Sequence, residues 1–74
     1  MGDIKTLHRM KIGKQLRAIR EEQGWTVEQV ATMADVKDKT IEKIEAGVFN
    51  VPLDVLVKVA DVLGADIIFK VSNQ

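Results

Sequence analysis

Four stretches of this chain repeat apolar residues at three- and four-residue intervals, and each runs into a helix stop: Gly24, Asp35, Gly47 and Gly64. A pattern punctuated in this way leaves room for short helices and little else. Ile12, Leu16 and Ile19 set the first stripe, so a helix is expected over about residues 9–23. Gly24 suits its end, because glycine accepts the left-handed conformation after a last turn. Thr26-Val27-Glu28-Gln29 then reads as a capping box, the Thr26 hydroxyl accepting the Gln29 N–H while the Gln29 side chain reaches back. A short second helix follows to about Ala34, with Val30, Ala31 and Ala34 inward. Asp35-Val36 is the break, since aspartate tolerates the positive φ that a tight turn between helices demands. A third helix, about Asp38–Ala46, buries Ile41 and Ile44 and turns Lys39, Glu42 and Lys43 outward. Pro52 opens a fourth helix, where its missing N–H costs nothing. Leu53, Leu56, Val57, Ala60 and Leu63 are that helix's expected inward stripe.

The tail differs in kind. Asp66–Val71 is β-branched and aromatic, with Ile67, Phe69 and Val71 on one side of an extended chain, so a strand is expected over residues 66–72. The sequence offers no second convincing strand. The tail's backbone groups therefore call for an outside partner, most simply the same strand of a second copy across a two-fold axis. Ile67, Ile68, Phe69 and Val71 are the candidate dimerisation residues. Ile4–Leu7 is a weaker, intrachain alternative, within residues 1–8 that otherwise read as a flexible or loosely ordered N-terminus.

Seventy-four residues allow one domain, near the lower limit of independent folding and too small for a two-lobed catalytic cleft. The chain has no cysteine and one histidine, His8, so no metal site or cofactor is expected. Its glutamates show no catalytic pairing beyond that of any charged helix, and an enzyme is not expected. With no run of 18 apolar residues and no signal-peptide core, a cytoplasmic protein without membrane contact is the default. Net charge is zero but unevenly spread. Residues 1–20 carry Lys5, Arg9, Lys11, Lys14, Arg17 and Arg20 against Asp3, while the rest holds five lysines against ten carboxylates. A basic face with an acidic back suits a phosphate track, and equally suits solvated helix charges.

Two short helices joined by a tight turn and braced by a helix on either side make a helix-turn-helix, whose second paired helix fits a major groove about 12 Å wide. From Ile12 to about Gly64 the sequence resembles the Cro/phage-repressor class, the XRE family. The matching pieces are Ile12-Gly13-Lys14-Gln15-Leu16-Arg17, Glu22-Gln23-Gly24-Trp25-Thr26, Gln29-Val30-Ala31, Thr40-Ile41, Ile44-Glu45-Ala46-Gly47 and Val59-Ala60-Asp61-Val62-Leu63-Gly64. The resemblance implies a mainly α, lambda-repressor-like bundle of four helices, here with the C-terminal strand added. It implies Asp38–Ala46 as recognition helix, with Asp38, Lys39 and Lys43 reading bases. Lysine can donate to guanine and aspartate can accept from cytosine N4. Lys14, Arg17, Thr26, Lys37 and Thr40 would meet the DNA backbone, Thr26 at a helix N-terminus suited to phosphate. Arg20 and Glu45 match a family ion pair that ties the first helix to the recognition helix.

Departures from the family pattern bear on affinity. Val27 stands where the family usually has glutamine, Lys37 where Ser or Thr would cap, and Val48-Phe49-Asn50-Val51 lacks basic residues. Asp38 and Glu42 put negative charge near DNA, unless Glu42 turns to an intramolecular partner. Trp25 is read as a packing residue, and Phe49 as folding back onto the core. The expected function is a homodimeric, sequence-specific regulator of transcription, a repressor on a palindromic operator of double-stranded DNA. The tail also suggests an antitoxin with a toxin subunit as partner. Two further rivals are a helix-turn-helix that binds protein instead of DNA, and a structural oligomerisation module.

Overall fold

The computed structural model describes residues 4–68, in which the chain folds as four α-helices. They are α1 (Ile4–Glu22), α2 (Val27–Ala34), α3 (Asp38–Ala46) and α4 (Leu53–Val62). The stops act as read: Asp35 takes φ 56° at the end of α2, and Gly47 takes φ 76° at the end of α3. The capping box at α2 is complete. Gln29 N–H donates to Thr26 Oγ1 at 3.1 Å, and Thr26 N–H donates to Gln29 Oε1 at 2.8 Å.

α2 and α3 share one core with Leu16 of α1 and with Leu56, Val59, Ala60 and Leu63 at α4. Val30, Ala31, Ala34, Ile41 and Ile44 fill its centre, each almost wholly removed from water. Close packing of this kind is worth about 1.5–3 kcal/mol per large apolar side chain. Phe49 folds back from its loop onto this core, as the sequence suggests. Trp25 is half-buried against it, and its indole N–H donates to Gln23 Oε1 at 3.0 Å. Gln23 in turn donates from Nε2 to the Leu63 carbonyl at 2.6 Å. This relay satisfies a carbonyl at the end of α4, a position that has no partner inside its own helix.

Two expectations need correction, and a third is not seen among the described residues. α1 begins at Ile4 and not near residue 9, so Ile4–Leu7 is helical and is no pairing strand. On α4, Leu53 and Val57 are exposed while Val59 is buried. The inward row there is Leu56, Val59, Ala60 and Leu63, a three- and four-residue spacing that places Val57 beside the core and Leu53 beyond its edge. Finally, Asp66–Ile68 is irregular, and no strand occurs among the described residues. Ile67 and Ile68 are exposed there, and Phe69 and Val71 lie outside the described residues. None of the described helices is long and apolar enough to cross a membrane.

Candidate nucleic-acid interface

α3 is divided by burial into two faces. Ile41 and Ile44 lie inward, and Asp38, Lys39, Glu42, Lys43 and Ala46 are exposed. Lys39 and Lys43 stand one turn apart on the same row, and neither joins a salt bridge within the described residues. Asp38, Glu42 and Ala46 make the neighbouring row. Lys37 is exposed at the N-cap, where its backbone carbonyl accepts from Thr40 N–H at 2.9 Å but its side chain caps nothing. Thr40 is half-buried at the edge of the exposed face.

The face is held in place from behind. Arg20 of α1 donates from Nε to Glu45 Oε2 at 2.6 Å and from Nη2 to Oε1 at 3.0 Å. Its remaining arm, Nη1, reaches the Trp25 carbonyl at 2.8 Å. One guanidinium thus links α1, the turn into α2 and the last turn of α3. Both side chains are about nine-tenths buried, at 11% and 10% exposure. The hydrogen bonds to Glu45 raise the Arg20 pKa despite its burial, so the charge is firmly kept. Planar, bidentate pairing of this sort fixes orientation, which a lysine could not do.

A second restraint is steric. Gly13 is buried where α1 crosses α3, and a β-carbon there would collide with the Ile44 carbonyl oxygen and lie 2.8 Å from that of Glu45. Gly47, just past α3, has a similarly close neighbour: a β-carbon would fall 2.8 Å from Met10 Cα. Two glycines therefore set how near α1 comes to α3. Both glycines lie in the stretches that resemble the family, where the contact itself leaves no direct mark in the sequence. An isolated glycine inside a helical stripe was the available signal.

The other candidate residues are spread more widely. Arg17 pairs with Glu21 at 3.2 Å on the exposed surface of α1, so part of its charge is answered locally. Lys14 is exposed on the same helix. At the start of α2 the capping box occupies the N–H groups of Thr26 and Gln29, leaving those of Val27 and Glu28 as the open donors. The Val27 side chain packs against the core, which explains why a hydrocarbon is accepted at that position.

The family model HTH_3, described as helix-turn-helix, matches residues 16–69. The chain belongs to the HTH_3 helix-turn-helix family. The family resemblance over Ile12–Gly64 thus rests on the same helices as the match. Among solved structures, this HTH_3 chain is similar to an HTH_3 family transcriptional regulator from Vibrio cholerae, with a TM-score of 0.76 and 24% identity. The alignment covers 84% of this chain and 35% of that one, so the chain spans about a third of that protein's length. At that identity the likeness establishes the fold. No curated protein matches the sequence.

Proposed function

We propose that this chain is a transcriptional regulator that binds double-stranded DNA through α3, with no enzymatic activity. The observation that carries the reading is the row of Lys39 and Lys43, exposed and unpaired among the described residues, on a helix whose position is fixed by Arg20, Glu45 and Gly13. Family membership and the regulator named among its structural neighbours support it. Asp38, Lys39 and Lys43 then meet base edges, while Lys37, Thr40, Thr26, Lys14 and Arg17 meet the backbone. Lys43→Ala is expected to weaken binding to a selected duplex about tenfold while leaving the helical circular dichroism and melting temperature unchanged. A fall in melting temperature with unaltered affinity would make Lys43 structural instead.

The protein acts as a repressor by occlusion, as a homodimer on a palindromic operator. One small module buries only about 600–1,000 Å² on DNA, and each copy offers few basic contacts. Two copies held on successive major grooves, about 34 Å apart, double them. Exposed Ile67 and Ile68 support the C-terminal segment as the joining surface, since neither contributes to the core of one copy. Ile68 is 81% exposed, so Ile68→Asp leaves the single copy intact and is expected to yield monomers in sedimentation. A persistent dimer would exclude this segment from the contact. Leu53 and Val57, exposed on α4, favour a second reading in which a protein partner such as a toxin subunit also docks. Co-purification of such a subunit tests it.

A further inference from the structure

We propose that Glu42 reads a base, selecting cytosine at one position of each operator half-site. The inference rests on the DNA-binding reading above and adds a residue and a base to it. Glu42 is exposed, and it forms no salt bridge among the described residues, although Lys39 lies three residues before it. Glu45, one turn on, is already committed to Arg20. The carboxylate sits mid-helix in the row Asp38, Glu42, Ala46, beside the row Lys39, Lys43 and opposite buried Ile41 and Ile44. When α3 enters a major groove, the middle of its exposed face points at base edges.

A carboxylate there loses water and needs a donor. The major groove offers two, cytosine N4 and adenine N6. Adenine presents its N7 lone pair next to N6, which repels a second carboxylate oxygen, whereas cytosine presents no acceptor beside N4. The neighbouring lysines ask for guanine O6 and N7, the pairing partner of that cytosine. Glu42, in the row beside Lys39 and Lys43, therefore matches a G·C pair with one strand read by each charge.

The test compares the 74-residue chain with Glu42→Ala and Glu42→Gln, each first selecting duplexes from a random pool and then titrated on single-pair variants of the enriched site. The wild type is expected to lose roughly tenfold in affinity when one C·G pair per half-site becomes T·A. Glu42→Ala is expected to lose that preference alone, and Glu42→Gln to move it to adenine, which glutamine contacts at N6 and N7. Because Glu42 is exposed, all three should melt together. If all three enrich the same site, and Glu42→Ala binds every duplex more tightly by one factor, the carboxylate merely repels phosphate and the inference falls alone. If the wild type enriches no duplex, the DNA-binding reading falls and takes this inference with it.

Discussion

Replacing Gly13 by alanine is expected to destabilise the chain by about 3 kcal/mol, lowering its melting point by more than about 10 °C and loosening α3. The sign is what makes this informative. Glycine inside a helix is ordinarily a weakness, and alanine in its place stabilises by about 0.5–1 kcal/mol. Here the added methyl would meet the carbonyl oxygens of Ile44 and Glu45, backbone atoms that cannot rotate away. The helices must part. Their separation would stretch the Arg20–Glu45 pair and disturb the Gly47–Met10 contact on the same side of α1. Affinity for DNA should fall with stability, since the α3 face is carried by that crossing. A melting curve settles the matter, and a higher melting point for Gly13→Ala would mean that α1 and α3 do not approach as described.

Truncating Arg20 or Glu45 alone is expected to cost about 3–5 kcal/mol, because either change leaves a charge nearly buried without its partner. Arg20→Ala should be the worse of the two, since it also strips the Trp25 carbonyl of its donor at 2.8 Å. Arg20→Met combined with Glu45→Leu should recover most of the loss, as apolar side chains of similar volume often replace buried ion pairs without penalty. The double variant separates stability from positioning. If the pair serves mainly to aim α3, the double variant folds near wild-type stability yet binds the selected duplex more weakly. Raised above its ordinary value by the Glu45 carboxylate, the Arg20 pKa keeps the guanidinium charged at neutral pH, and the contribution of this shift is lost only as pH rises through the folded value. Arginine titration thus gives the melting temperature no pH dependence near neutrality. Thermal melts of the two single variants and the double variant form the cycle that checks this, and single variants within about 1 kcal/mol of wild type would show the pair to be idle.

Most of the helical frame is legible in the sequence because its signals are local. Thr26 and Gln29 cap α2, and Asp35 and Gly47 end their helices, by bonds that span a few residues. The inward faces of α2 and α3 follow from spacing alone. Where the reading failed, the deciding forces were not local. In the first turns of α1, Leu7 and Met10 are exposed and do not continue the inward stripe of Ile12, Leu16 and Ile19. Val59 rather than Val57 faces the core because the rotation of α4 is set by what it packs on. A strand at Asp66–Ile68 needs hydrogen-bond partners that one copy does not supply. At the site, the Arg20–Glu45 pairing came from family resemblance, 25 residues apart in sequence and invisible to periodicity. The third bond of Arg20 and the Gln23 relay have no sequence signature of their own, and the Gly13 crossing shows in the sequence only as an isolated glycine in a helical stripe.

Exposure of Lys39 and Lys43 on an anchored α3 makes one measurement the most direct. Duplexes would be selected from a random pool by the purified chain, and the affinity for the enriched sequence followed against salt. DNA binding through α3 predicts a palindromic consensus and an affinity that falls steeply as salt rises, with a slope near −0.9 per neutralised phosphate. Lack of enrichment, with weak binding that ignores salt, would contradict it.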